Sequence, residues 1–527
     1  MIKTMKINFL RSVSWVAMLT LLSRISGYVR ELLLIQCIGI NAVSDTLTIL
    51  IKIPAFFRRI FAEGAMQAAF LPIFTKIKES EGEAAAYRFS ASLLGILVVL
   101  LTLLMGIAEW KWDLCSSWIF SDFAHQKQRE LFSLLGKVIF PYIFFISIHS
   151  FFGSISSVYG RFGIFNFSST IGNLFICAAL VGLLIYKPDT NVLCAYWASW
   201  AILGSGVLQC GMMIWGCWYQ GIKAVWPILG IDKHLAVFFR KFFSAMLSVS
   251  SVQLNTVIGA IFAAQLPTKG ASYLNYADRF QQLPLSLIGV SLASVLLPVL
   301  SQQQALQDPV RRWRDEQHFL RFAFMLSIWI TLFFWVSSFS FGACLFYPSL
   351  KSGILAWKDV VEIAYTVRVF SLAIPAYIGI KILITRCFAH GKGQLTWISG
   401  LLNVGVTVGI SLCLYRRFHH FGLAFSSVVS AWAQFIFLLC SISLREKLPL
   451  HHGLKRLWLE LMPFTGVVVS VYYSMPLIWT SETSIFLHIG YMLGAAMVIT
   501  ALLFGFLRLR SHISYKHLRL FWKMFRG

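Results

Sequence analysis

The chain has 527 residues, of which 58% are hydrophobic and only 13% charged, and its mean hydropathy is +0.74. A soluble domain is roughly 45–50% apolar and about 25% charged, so a string of soluble domains is excluded and the apolar surface must face lipid. The 45 Lys and Arg against 21 Asp and Glu leave a formal charge of +24, a one-sided surplus in a chain that otherwise avoids charge.

A membrane-spanning helix needs about 20 mostly apolar residues. The sequence predicts an all-α integral membrane protein with about fourteen such segments, near 9–38, 45–74, 84–109, 130–158, 164–187, 192–219, 236–265, 271–302, 318–346, 361–388, 394–416, 421–444, 457–479 and 484–508. The first, second and eighth contain charges. Lys and Arg in short loops set the orientation. With the N-terminus inside, the cytoplasmic side receives Lys76, Lys78, Lys233, Arg240, Lys241, Arg311, Arg312, Arg445 and Lys455, among others, while the opposite loops hold fewer. Arg416 and Arg417 are exceptions on the outer side. An even number of spans places both termini in the cytoplasm. The tail, 511–527, interleaves Phe521, Trp522 and Phe525 with cations; it reads either as a segment lying on anionic headgroups or as an ordinary positive-inside flank.

Two stretches repeat about 230 residues apart. Phe140-Pro141, Gly160-Arg161-Phe162 and Asn173 recur in order as Ile374-Pro375, Gly391-Lys392-Gly393 and Asn403, and Phe70-Leu71-Pro72-Ile73 recurs as Leu296-Leu297-Pro298-Val299. The predicted organisation is therefore two pseudo-symmetric six-helix halves, 1–220 and 221–446, around a central cavity. Two further spans follow in 447–510, and then a basic tail in 511–527. Transporters are commonly built from such halves with a site between them.

The informative residues are charges inside spans: Arg24, Arg30 and Glu31 in the first, Asp45, Lys52, Arg58, Arg59 and Glu63 in the second, Asp278 and Arg279 in the eighth. Each costs about 2.5–3.5 kcal/mol at the centre of a membrane helix and so belongs in a cavity or beside a partner. Structural ion pairs account for some; Arg59 and Glu63, at i and i+4, could neutralise each other. They do not account for the excess of cations over acids. A cationic cavity selects an anion, and arginine's planar fork suits phosphate. Arg24 and Glu31 share a helical face while Arg30 lies about 120° away, which suits a broad cavity. Pro54 interrupts the second span.

Catalytic sets are missing from the sequence. No Walker loop, dinucleotide fingerprint or nucleophile elbow is present, so neither ATP hydrolysis nor any nucleotide or nucleic-acid partner is expected. The ten cysteines contain no CxxC pair and the twelve histidines no HExxH spacing, so neither metal nor cofactor is expected. The classes left are a lipid-linked anion flippase, a polysaccharide-lipid or drug exporter, and a membrane transferase. A scaffold with vestigial charges would leave the cost of burying them unexplained. An exporter of cations would need an acidic cavity, and a transferase would need acids for metal or base chemistry.

The second span carries a long distinctive string. Lys52-Ile-Pro54-Ala-Phe-Phe-Arg58-Arg59-Ile-Phe61-Ala62-Glu63-Gly64-Ala65, followed by Ala69-Phe70-Leu71-Pro72, resembles the signature of the MurJ (MviN) family of bacterial lipid II flippases. Ser23-Arg24, Gly27 and Arg30 fit the same pattern, as do Tyr276-Ala277-Asp278-Arg279, Pro284, Gly289 and Leu297-Pro298. The resemblance covers essentially the whole chain. It implies alternating-access translocation of the undecaprenyl-pyrophosphate-linked disaccharide-pentapeptide across the bacterial inner membrane. It further implies that Arg24, Arg30, Arg58 and Arg279 bind substrate, with Lys52, Asp45 and Glu31 as further polar contacts. Arg59, Glu63, Asp278, Gln282 and Pro54 become gating or structural residues, and the last two spans a groove for the lipid tail. A monomer is expected, surrounded by membrane lipids and near the cell-wall synthesis machinery. A flippase for another polyprenyl-pyrophosphate-linked oligosaccharide is the alternative.

Three departures stand out: Glu31 where some relatives have Asp, Ala55 where an Asn is frequent, and Gln282 where relatives carry an acid. Some members bind sodium through acids in spans 7, 11 and 12, yet 242–268 and 394–444 contain no Asp or Glu. The expectation is therefore no sodium site and direct coupling to the membrane potential, which acts with about 2.3 kcal/mol per charge per 100 mV.

Overall fold

The computed structural model describes residues 2–58, 65–119, 126–159, 163–222, 225–230, 232–285, 309–389, 393–446 and 485–509. Among them every regular element is an α-helix. Inside lipid this is the economical solution, because a helix satisfies its own backbone N–H and C=O groups. The helices are α1 (Ile2–Ile38), α2 (Ala42–Arg58), α3 (Ala65–Ser80), α4 (Glu83–Trp110), α5 (Trp112–Ile119), α6 (Gln126–Ile139), α7 (Tyr142–Val158), α8 (Gly163–Tyr186), α9 (Asn191–Tyr219), α10 (Leu235–Ala264) and α11 (Gly270–Pro284). They continue as α12 (Pro309–Leu345), α13 (Tyr347–Lys351), α14 (Trp357–Ser371), α15 (Ile374–Ala389), α16 (Gly393–Glu446) and α17 (Ile485–Leu509).

Six helical stretches among the described residues are long and apolar enough to cross a membrane: Glu83–Trp110, Gln126–Val158, Gly163–Tyr186, Asn191–Tyr219, Ala323–Leu345 and Gly393–Leu444. The bent pair Trp357–Ser371 and Ile374–Cys387, at 43°, makes a seventh if taken as one span. Gly393–Leu444, at 52 residues, is about twice the length one crossing needs. It is broken at His419 (φ 49°, ψ −129°), between the expected spans 394–416 and 421–444. Helices α1, α2, α10, α11 and α17 fall on five further expected spans. The thirteenth span, most of the eighth after Leu285, the tail 511–527, and Arg59 and Glu63 lie outside the described residues.

Two compact units make up the chain: Met1–Asn275 with Thr396–Ser426, and Tyr276–Leu395 with Ser427–Gly527. In unit one, α1 lies along α8, α7 along α9, and α3 along α10. Their shared core is aromatic. Phe70 is fully buried and meets Phe89 at 6.0 Å, Phe151 at 5.7 Å and Phe74 at 5.3 Å between ring centroids. The segment before α10 is laid on α4: Ile228 N donates to Ala91 O at 3.1 Å, and a Cβ at Gly95 would stand 2.4 Å from the Ile228 carbonyl oxygen, so only glycine admits this approach. Lys233 Nζ reaches Glu81 Oε1 at 2.9 Å and holds that carboxyl below the usual carboxylate range.

Unit two is built on α12, which packs against α14, α15 and α17. Its core joins Phe324, Ala376, Ile380, Leu383, Phe435 and Leu438. Phe324 and Phe435 stack at 5.6 Å. A Cβ on Gly379 would stand 2.4 Å from the Phe435 ring, so this glycine lets the two helices close.

The repeated prolines fall at matching breaks. Pro141 lies between α6 and α7, and Pro375 stands in the first turn of α15, just after α14 ends. Proline cannot supply the backbone donor an unbroken helix would need there.

The start of α11 is capped from a distant part of unit one. Asp45, buried in the first turn of α2, accepts Lys269 N at 2.5 Å on one oxygen and Ser272 N at 2.8 Å on the other. Ser44 Oγ and Ser272 Oγ share a further hydrogen bond at 2.9 Å. The carboxylate thus answers orphan amides at a helix N-terminus, where negative charge is favoured. Asp45→Ala is expected to lower the thermal midpoint of the detergent-solubilised protein through a loss of about 0.5–2 kcal/mol, and Asp45→Asn, which keeps one acceptor, to lower it less. Equal midpoints for all three proteins would show that the cap is idle.

Candidate functional site

The cations of the first span do not share one environment. Arg24 is exposed, whereas Arg30 is partly buried and Glu31 fully so. Arg30 is held on both arms of its guanidinium: Nη1 donates to Asn173 Oδ1 at 3.0 Å and Nη2 meets Glu31 Oε1 at 2.7 Å. Adjacent residues point about 100° apart on a helix, and the length of the two side chains closes that gap. Asn173 on α8 is in turn tied to α1, its Nδ2 donating to Ser23 O at 3.0 Å and Ser26 Oγ at 3.2 Å. Gly27 lies against the same amide, a Cβ there coming to ordinary contact distance, 3.4 Å, from Asn173 Nδ2. The serine, the glycine and the second arginine of the first-span motif therefore converge on one amide.

Lys52 and Arg58 are partly buried on α2, and Pro54 is buried between them. Arg58 lies within electrostatic range of His149 on α7. That ring is buried, stacks on Phe165 at 5.0 Å, and contacts Ser168 Oγ through Nε2 at 2.6 Å. Ser168 Oγ donates to Phe165 O at 2.8 Å. Its single proton is thus used, so the contact is an Nε2–H donation and the ring is the Nε2–H tautomer.

In unit two, Asp278 and Arg279 are partly buried on α11. Gln282 Nε2 donates to Asp278 Oδ2 at 2.5 Å, so the neutral residue is engaged with the acid one turn earlier. Tyr377 on α15 is close enough to feel the Asp278 charge.

The sequence reading passed over three cations in the tenth span. Lys381 Nζ reaches Leu285 O at 3.5 Å, and Arg386 is buried. Arg368 is only 4% exposed. Its Nε donates to Trp335 O at 3.0 Å and Ser338 Oγ at 3.1 Å, and its guanidinium lies 4.5 Å from the Phe339 ring centroid. The rule applied to spans one, two and eight would have found them. Asn173 was noticed only as a repeated residue, and its amide holds Arg30.

The repeat has a structural counterpart within unit one. Asn403, which the repeat aligns with Asn173, accepts a hydrogen bond from Asn255 Nδ2 at 2.9 Å. The sequence separations of the two contacts, 143 and 148 residues, nearly match. Each of the two aligned asparagines is thus paired with a residue of a helix that far earlier in the chain, Arg30 in one case and Asn255 in the other. Among the described residues no group of three His, Cys, Asp or Glu could hold a metal ion.

Residues 34–494 match the family model described as "Lipid II flippase MurJ". The chain is 27% identical over 521 residues to a lipid II flippase MurJ of Burkholderia cenocepacia, covering 95% of this chain and 97% of that protein. It is 26% identical over 509 residues to a probable lipid II flippase MurJ of Rickettsia prowazekii, covering 95% and 97%. The fold is similar to that of a lipid II flippase MurJ in an inward closed conformation, with a TM-score of 0.77 at 18% identity over 93% of this chain and 99% of the other. An inward-facing transporter of the multidrug-resistance MATE family is more distant, with a TM-score of 0.66 at 14% identity over 80% and 96%. The chain is a multi-span membrane protein that belongs to the lipid II flippase MurJ family.

Proposed function

We propose that the chain carries lipid II from the inner to the outer leaflet of the bacterial cytoplasmic membrane by alternating access. Family membership over 461 of its residues supports this reading over another polyprenyl-linked oligosaccharide. The family is one of flippases, which move a substrate without changing its bonds.

The observation that carries the residue-level proposal is the hold on Arg30. Asn173 and Glu31 each take one donor of a guanidinium that has five, so they orient the arginine and leave it further N–H groups with which to meet an anion. Arg24, Arg30, Arg58 and Arg279 bind the pyrophosphate, assisted by Lys52; Glu31 and Asp45 belong to the same binding set as the acids that hold its frame, Glu31 through Arg30 and Asp45 through the start of α11. Arg59, Glu63, Asp278, Gln282 and Pro54 are gating or structural residues, and the Asp278–Gln282 hydrogen bond, closed within one helical turn, favours the structural role for that pair. The halves run over 1–220 and 221–446, the segment 447–510 takes the lipid tail, both termini lie in the cytoplasm, and the protein works as a monomer near the cell-wall synthesis machinery. No cofactor or sodium ion takes part, and the membrane potential drives the outward step.

Arg24→Ala, Arg30→Ala, Arg58→Ala and Arg279→Ala should each insert in the membrane but let lipid II accumulate on the inner leaflet of a strain depleted of its own flippase. A leaflet-resolved lipid II assay reads this, and normal flipping by all four would overturn the assignment. Asn173→Leu removes the acceptor of Arg30 and the donor to Ser23, so its transport should fall at least tenfold, the equivalent of about 1.4 kcal/mol, with Asn173→Gln intermediate. For coupling, replacing sodium should leave translocation unchanged while collapsing the potential stops it; the opposite pattern would require a cation site.

A further inference from the structure

The outer-side exceptions Arg416 and Arg417 have no part in the transport reading. They lie in unit one, in the run Tyr415-Arg416-Arg417-Phe418-His419-His420, where α16 breaks. Arg416, Arg417, Phe418 and His419 are all exposed, Phe418 by half. Each arginine lies against an aromatic neighbour. The Arg416 guanidinium is 5.6 Å from the Tyr415 ring centroid and its Nε donates to Tyr415 Oη at 2.9 Å; the Arg417 guanidinium is 5.8 Å from Phe418.

The turn is built firmly. His419 adopts φ 49° and ψ −129°, a conformation that a residue with a Cβ rarely takes. The neighbouring His420 ring packs on Tyr273 at 5.1 Å and on Phe421 at 4.2 Å, and Tyr415 meets Phe262 at 5.7 Å. A Cβ at Gly422 would stand 2.7 Å from Leu414 O, so glycine closes the turn. Anchored from both sides, the chain presents two cations and a phenyl ring outward. No acid occurs anywhere in 394–444.

We infer that this turn binds the headgroup phosphates of anionic phospholipids in the leaflet it meets. Arginine forks match phosphate oxygens, aromatic side chains settle at headgroup depth, and the residue types are those of an interfacial anchor. The patch suits phospholipid better than the polyprenyl pyrophosphate. Arg416 and Arg417 start about 100° apart on the helix, and each guanidinium lies against a different ring, Tyr415 and Phe418, which sets them apart for separate headgroups.

The test follows backbone hydrogen exchange across 412–422 in full-length protein held in nanodiscs. Phosphatidylglycerol is titrated into phosphatidylcholine. In the wild type, phosphatidylglycerol should slow exchange at 415–420, and about 1 M salt should abolish the difference between the two lipids. Arg416→Gln with Arg417→Gln should weaken the apparent affinity by roughly fivefold per arginine, while the double lysine variant keeps most of it. Equal exchange in both lipids, or full protection in the glutamine variant, overturns the proposal. Protection by undecaprenyl pyrophosphate in phosphatidylcholine, without protection by phosphatidylglycerol, also overturns it and makes the turn a substrate contact. If the glutamine variant does not fold, the wild-type lipid and salt titrations decide.

Discussion

An ionised arginine inside a bilayer cannot be left to itself, and the first span is arranged around that requirement. Arg30 carries a cost of about 2.5–3.5 kcal/mol at the centre of a membrane helix. The structure answers with one charged and one neutral partner, Glu31 and Asn173. The neutral partner is the more telling. Asn173 presents its oxygen to the arginine and its amide hydrogens to α1, so one side chain satisfies the charge and binds the two helices together. Gly27 packs against that amide. Serine, glycine and arginine at this spacing are thus parts of one contact.

Asn403, which the sequence repeat aligns with Asn173, is also engaged, but with a neutral amide rather than a cation: it accepts from Asn255 where Asn173 accepts from Arg30. An amide pair needs no counter-ion, so this contact ties two helices together without a charge to compensate. Pro141 and Pro375, also aligned by the repeat, both stand at helix starts, where their missing backbone donor is not needed.

Periodic and covalent features were the ones legible in the sequence. Apolar runs located the spans, and the repeated prolines and asparagines announced a shared frame, because those signals are local. The hydrogen bonds of Asp45 could not be read: its partners are Lys269 and Ser272, more than 220 residues away, and a carboxylate in a membrane helix has the same sequence appearance whether it meets a substrate or a helix N-terminus. Glu31 was expected to share a face with Arg24, yet it pairs with the adjacent Arg30, since helical geometry places Cβ atoms and long side chains then choose among neighbours. Arg368 was legible but overlooked. Its setting between carbonyl, hydroxyl and phenyl face also shows that a buried cation need not be a binding site.

Arg368 donates to the Trp335 carbonyl and the Ser338 hydroxyl and lies over the Phe339 ring, so its guanidinium is fixed by groups of its own unit. Arg30 instead has a charged partner, Glu31, beside it on the same helix. Under the proposed function, an anion reaching Arg30 would share the guanidinium with that carboxylate, and the arginine would stay charge-compensated with or without substrate, avoiding the costly unpaired state.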